Sequence, residues 1–160
     1  MTRRRAAVLT VSDGVAAGTR QDDSGHALQE DLTAAGFEVV ARGVVPDDRA
    51  AIASALADLA DACDLLLTTG GTGFGPRDVT PEATAEILER EAPGLVHLML
   101  ARGIESTPMA ALSRPRAGGR GSTLIINLPG SPAGARSGLQ AVLPVVGHAL
   151  DLLGGDTEHQ

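Results

Sequence analysis

Leu65-Leu66-Leu67-Thr68-Thr69 is an apolar run of strand length that stops in four glycines within six residues, Gly70, Gly71, Gly73 and Gly75. A run with no polar alternation is buried on both faces, as in a parallel sheet covered by helices. The glycines let the backbone adopt positive φ and come close to a ligand. Behind them, Thr80-Pro81-Glu82 has the composition of a helix start, with Thr80 as the expected cap and Pro81 in the first turn. Strand, glycine loop and helix start, in that order, favour a bound anion such as phosphate.

The same alternation runs through the chain. Residues 6–11 read as a first buried strand, 23–35 as a helix with Leu28, Leu32 and Ala35 on one stripe, and 37–45 as a second strand. Asp47 or Asp48 caps the next helix, to about residue 62, before the strand at 65–69. The helix begun at Thr80 continues through Ile87 and Leu88 to the Pro93-Gly94 break, and 95–102 is helical. Residues 103–122 mix Gly, Ser, Pro and Arg and are expected to form irregular or short elements, close to the ligand or to a neighbouring subunit. Residues 123–128 form another buried strand, opening into Pro129-Gly130-Ser131-Pro132 and a last helix. Its stripe is Leu139, Val142, Leu143, Val146, Leu150 and Leu153, with a kink expected at Pro144 and a frayed tail over 154–160. The pattern predicts one three-layer α/β/α domain over residues 1–160, with a mostly parallel sheet. Loops following its strands gather at one carboxyl edge, the ligand edge of such sheets.

Several functions are excluded by composition. All 13 basic residues are arginines, so no Walker lysine, Schiff base or lysyl-AMP is available. The dinucleotide fingerprint also fails, because the glycine loop follows the third strand rather than the first. A net charge of −7 and 1% aromatics argue against a nucleic-acid partner. Arg3-Arg4-Arg5 is followed by only six residues, 6–11, before Ser12-Asp13-Gly14, too short for a signal peptide or membrane span, so a cytoplasmic location is expected. Cys63 falls on a helical stripe with Ile52, Leu56 and Leu59 and reads as core. His26, His97, His148 and His159 show no metal-ligand spacing. Ser131 has no partners spaced for a triad, so it is read as a hydrogen-bonding residue.

Asp78 is electrostatically out of place beside a phosphate loop unless a cation accompanies it. Mg²⁺ takes one or two carboxylates with phosphate oxygens and water, and Asp47 lies on the neighbouring loop. Taken alone, Asp47 reads as a helix cap and Asp78 as a turn residue or partner of Arg77.

Thr68-Thr69-Gly70-Gly71-Thr72-Gly73, Arg77-Asp78-Val79-Thr80-Pro81-Glu82-Ala83-Thr84 and Leu128-Pro129-Gly130-Ser131-Pro132 resemble the signatures of the MogA/MoaB family of molybdenum-cofactor biosynthesis proteins. Leu112-Ser113-Arg114-Pro115 and Thr123-Leu124-Ile125-Ile126-Asn127-Leu128 are also similar to the G domains of gephyrin and plant Cnx. The likeness runs from about residue 8 to 153. It implies a molybdopterin adenylyltransferase that uses Mg²⁺ and ATP. Asp47 and Asp78 are then essential acids and metal ligands. Substrate contacts are expected at Ser12 and Asp13, because the first strand ends on the same edge, and the resemblance implies them at Ser24 and Gly25; at Thr69, Gly70, Gly71, Thr72 and Gly73; at Thr80, Pro81 and Glu82; at Ser113 and Arg114, which match the family's segment at the pterin; and at Asn127, Leu128, Pro129, Gly130, Ser131 and Pro132. Asp22-Asp23-Ser24-Gly25 otherwise reads as an ordinary acidic first turn, and Arg114 as a solvated arginine. Family members are commonly homotrimers, for which residues 95–122 would supply apolar contacts, and a downstream molybdenum-insertion protein is an implied partner. The alternatives are a non-catalytic molybdopterin-binding paralogue, a scaffold, and an insertion enzyme whose further domains are not in this sequence. Residues 13–21 depart from the family pattern.

Overall fold

The structure, a computed structural model, describes residues 3–156. The expected tail beyond 156, with His159, lies outside the described residues. A six-stranded sheet has the order β2-β1-β3-β6-β5-β4, formed by β1 (Arg5–Val11), β2 (Glu38–Val45), β3 (Leu65–Thr69), β4 (Arg90–Glu91), β5 (Ala117–Arg120) and β6 (Thr123–Leu128). The first four strands in spatial order, β2, β1, β3 and β6, run parallel; β5 and β4 are antiparallel additions. The helices are α1 (Asp13–Ala16), α2 (Asp23–Ala34), α3 (Arg49–Ala60), α4 (Thr80–Ile87), α5 (Pro93–Ser106) and α6 (Pro132–Leu153), with a 3-10 turn over Pro108–Leu112.

The strand period of two divides the core. Leu65 and Leu67 face one side with Ala6, Val8, Leu124 and Ile126, and are covered by α2, α5 and α6. Leu66 faces the other with Ala7, Leu9 and Ile125, under α3 and α4. All three leucines are fully buried, each stabilising the fold by about 1.5–3 kcal/mol relative to exposure. The sequence-expected three-layer architecture is therefore observed.

Register places the site. Thr10 is level with Thr69, and Thr69 with Leu128, so β1, β3 and β6 end together. Val11 pairs with Val45, which brings Pro46-Asp47 beside Ser12.

Of the two acids expected to cap α3, Asp48 does so, accepting from the Ala51 amide at 2.8 Å. Local differences from the expected pattern have clear causes. Thr80 is not the cap of α4, because its hydroxyl donates to Gly70 O at 3.0 Å and Val79 occupies the cap position without a side-chain bond. Cys63 lies beyond α3 rather than on it; it is buried, its Sγ donates to Leu59 O at 3.3 Å, and burial pushes its thiol up to about 11. The segment 103–122 completes α5 and otherwise holds the short elements expected there, the 3-10 turn and β5. The last helix runs continuously through Pro144 to Leu153.

Candidate functional site

Two cavities open at the carboxyl edge and share a wall. One, of about 440 Å³, is polar and is lined by Ser12, Arg20, Asp23, Ser24, Asp47 and Asp78 among others. The second, of about 660 Å³, is walled largely by Met99, Leu100, Met109, Ala110 and Leu112, and by Thr72 and Gly73. Gly71, Asp78, Gly130 and Ser131 line both. Asp78 and the two loop tips therefore stand at the boundary.

The glycine loop is built so that its carbonyls and amides have different fates. Gly70 O accepts from the Thr80 hydroxyl, Gly71 O from the Thr80 amide at 3.1 Å, Thr72 O from the Arg114 amide at 2.8 Å and Gly73 O from Arg114 Nε at 2.9 Å. The Gly70 amide is taken by Leu128 O at 3.1 Å, continuing the ladder between β3 and β6. Among the described residues, the amides of Gly71, Thr72 and Gly73 have no protein acceptor. The path depends on left-handed glycines: φ is 101° at Gly70 and 68° at Gly71. A Cβ on Gly70 would stand 2.2 Å from Val11 O, and one on Gly71 would stand 2.3 Å from Thr80 Oγ1.

Asp47 and Asp13 lock the neighbouring loops reciprocally. The Asp13 amide donates to Asp47 Oδ2 at 3.0 Å, and the Asp47 amide donates to Asp13 Oδ1 at 2.9 Å. Arg77 donates to both oxygens of Asp13, at 2.7 and 3.0 Å, and holds its carboxyl below the usual range. Asp47 is the opposite case. Burial first, then the charges of Asp13 and Asp78, push its carboxyl up, so no neighbouring cation compensates it fully. Asp78 accepts from the Gly75 amide at 2.9 Å through Oδ2. No group of three or more His, Cys, Asp or Glu suited to a metal occurs among the described residues. Two carboxylates facing one chamber instead fit an ion whose remaining ligands come from substrate oxygens and water.

Arg114 is engaged by the protein. Its guanidinium donates to Glu82 at 2.7 and 3.2 Å, to Asp78 O at 2.8 Å and to Gly73 O, bracing the glycine loop against α4. The ion pair holds Glu82 below its usual range.

A family model described as probable molybdopterin binding domain matches residues 7–148. The chain belongs to this family. Its role is in molybdenum cofactor biosynthesis. A crystal structure described as the molybdopterin biosynthesis enzyme MoaB of Thermus thermophilus is 55% identical, with a TM-score of 0.89, covering 95% of this chain and 97% of that one. A molybdopterin adenylyltransferase of Helicobacter pylori strain J99 is 40% identical over 93% of this chain and 87% of its own length. The molybdenum cofactor biosynthesis bifunctional protein of Chlorobaculum tepidum is 39% identical over 95% of this chain, which spans 49% of that protein.

The family motifs do not all reach the chambers. Ser12, Ser24, Thr69, Gly70 and Pro132 line the polar one, and Ser113, Asn127 and Pro129 the apolar one, as do Thr72 and Gly73. Asp13, Gly25, Thr80, Pro81, Glu82, Arg114 and Leu128 line neither. Asn127 is fully buried: its amide nitrogen donates to Thr68 and Thr84 Oγ1 at 3.0 Å each, and its oxygen accepts the Arg116 amide at 2.9 Å. Ser12 caps α1 and Ser131 caps α6, with Ser131 Oγ accepting from the Gly134 amide at 3.1 Å. Sequence reasoning missed Arg20 as a chamber residue, because 13–21 carries no family signature, whereas Asp23 belongs to the acidic stretch it did single out. It also missed Met99 and Met109, whose apolar character reads equally as core.

Proposed function

We propose that the protein transfers an adenylyl group from ATP to molybdopterin with the help of Mg²⁺, releasing pyrophosphate. The observation that carries this reading is the placement of Asp47 and Asp78 in one chamber, next to a loop that crosses from Gly71 on its boundary to Thr72 and Gly73 in the apolar chamber with three amides that no protein atom uses. The names of the adenylyltransferase relatives at about 40% identity support the same chemistry.

Asp47 and Asp78 would hold the ion, which when bound neutralises charge on the triphosphate oxygens. The amides of Gly71, Thr72 and Gly73 donate to phosphate oxygens, and Arg114 keeps them aimed by fixing the carbonyls of Gly73 and Asp78. The reacting phosphorus belongs at the boundary formed by Gly71, Asp78 and Gly130. Attack and departure are in line, so the two leaving phosphates occupy the polar chamber and the pterin approaches from the apolar one. There Met99, Met109 and Leu112 offer a surface for a flat heterocycle. An oxygen of the pterin's terminal phosphate bonds to the α-phosphorus. The bond from that phosphorus to the bridging oxygen breaks, and its electron pair leaves with pyrophosphate. No covalent step on the protein is required, which suits a site with no lysine and a buried cysteine.

The same reading takes the protein as a cytoplasmic homotrimer that passes its product to a molybdenum-inserting protein. Among the described residues no helix is long and apolar enough to cross a membrane. Leu98 and Ile104 expose apolar surface on α5 for contact between copies, and sedimentation measures the assembly.

Pure protein mixed with ATP, Mg²⁺ and molybdopterin is expected to release one pyrophosphate per pterin adenylylated. Molybdopterin binding without pyrophosphate release would replace this reading with that of a non-catalytic pterin-binding protein.

A further inference from the structure

Resting on that reading, we infer that Arg20 is the cation that binds the leaving β- and γ-phosphates, and that Gly14 exists to seat it. Of the arginines near this edge, Arg42 is held by Asp22, Arg77 by Asp13 and Arg114 by Glu82. Arg20 lines the polar chamber, and among the described residues its guanidinium has no hydrogen bond or ion pair. No other arginine lines either chamber. The chamber's remaining charged walls, Asp23, Asp47 and Asp78, are acidic, so a triphosphate entering without Arg20 meets no fixed cation from the protein.

Position distinguishes the phosphates. Arg20 lines the polar chamber alone, as do Ser12, Val15 and Ser24, and takes no part in the boundary shared with the apolar chamber. The reacting phosphorus lies at that boundary, so Arg20 reaches the end of the chain that departs. A planar guanidinium with several donors suits the non-bridging oxygens of a polyphosphate.

Gly14 explains how the side chain is held. The amides of Thr19 and Arg20 both donate to Gly14 O, at 2.9 and 3.2 Å, folding residues 14–20 back on α1. The Arg20 stem then crosses the bare face of Gly14, where a Cβ would stand 2.6 Å from Arg20 Cδ and 2.9 Å from Cγ. Gly14 has no left-handed φ to require a glycine. Its missing side chain serves the arginine, not the turn. Gly14→Ala therefore displaces Arg20 without straining the backbone.

The test is calorimetric titration of the intact protein, Arg20→Gln, Arg20→Lys and Gly14→Ala with Mg²⁺·pyrophosphate, Mg²⁺·ATP and AMP. Arg20→Gln is expected to weaken pyrophosphate and ATP by about tenfold or more, the loss that follows removal of a donor to a charged group. AMP, which lacks the departing phosphates, should bind within about twofold of the parent, and melting temperature should not move because Arg20 is exposed. Arg20→Lys should recover part of the loss, and Gly14→Ala should reproduce part of it while leaving every charge in place. Unchanged pyrophosphate affinity in Arg20→Gln, or equal losses for AMP and pyrophosphate, would overturn the assignment of Arg20 alone. A parent protein that binds neither Mg²⁺·ATP nor Mg²⁺·pyrophosphate would instead remove the adenylyl-transfer reading, and this inference with it.

Discussion

The two strand-to-helix junctions at residues 69–80 and 128–132 sit side by side on paired strands, yet the helices that follow them begin differently. At 128–132 the helix that follows is closed by its own serine: Ser131 takes the Gly134 amide, and Pro129 O accepts the Thr69 hydroxyl at 2.6 Å. At 69–80 the helix has no side-chain cap, and the preceding loop has its carbonyls bound while three amides remain without protein partners. Equivalent topology thus yields a serine-capped wall in one case and an uncapped cradle with three consecutive unclaimed amides in the other. What differs is the side chain at the helix start and the length of loop before it. Thr80 and Arg114, which line neither chamber, hold that longer loop by claiming its carbonyls.

The contrast is broken most severely at Asp78, on the cradle side. Asp78→Asn keeps the acceptor for the Gly75 amide and so keeps the fold, but pyrophosphate release is expected to fall by on the order of a hundredfold or more. Continuous pyrophosphate-release kinetics at saturating ATP checks this, and turnover like the parent's would remove the metal assignment. Gly70→Ala attacks the cradle's geometry: a left-handed φ and a Cβ only 2.2 Å from Val11 O are expected to cost about 2–4 kcal/mol of stability, seen in urea unfolding.

Smaller effects sharpen the comparison. Glu82 is held below its ordinary range by Arg114, so its contribution is complete above the unfolded pKa and is lost as pH falls through the depressed value. With both side chains about one-third exposed, Glu82→Gln should remove roughly 1 kcal/mol and flatten the acid limb of the melting-temperature profile. Ser131→Ala on the wall side should cost about 1 kcal/mol as a lost helix cap, with less effect on turnover than any change at the cradle. Asp47→Asn is expected to have the least effect on stability. Its carboxyl is pushed up, so ionising it in metal-free protein costs stability as pH rises through that pKa. The variant should therefore melt at or slightly above the parent temperature at neutral pH without Mg²⁺, while losing the extra protection that Mg²⁺·ATP gives the parent.

Much of the architecture was legible because uninterrupted runs such as 65–69 admit few alternatives to a buried parallel strand. The convergence of Asp47 and Asp78 on one edge followed from strand ends alone. What the sequence did not disclose was the disposition of individual polar groups. Thr80 reads as a cap from its neighbours, but its hydroxyl is drawn to Gly70 O by a loop path that only the folded chain defines. Arg114 reads as a cation for phosphate, but Glu82, 32 residues away, claims it first. Strands β4 and β5 were hidden because Arg90-Glu91 and Ala117-Gly118-Gly119-Arg120 carry almost no strand propensity and form by pairing, β5 with the edge of β6 and β4 with β5. Arg20 was hidden because its meaning depends on Gly14, whose empty face is visible only once residues 14–20 fold back.

The most direct test of a shared carboxylate site replaces Mg²⁺ with Mn²⁺ in crystals grown with a non-hydrolysable ATP analogue and locates the metal by anomalous scattering. One peak within coordinating distance of both Asp47 and Asp78, on the polar side of Gly71, is the expected result. A peak held by other carboxylates such as Asp13 or Asp23, or a triphosphate seated away from the amides of Gly71, Thr72 and Gly73, would contradict it.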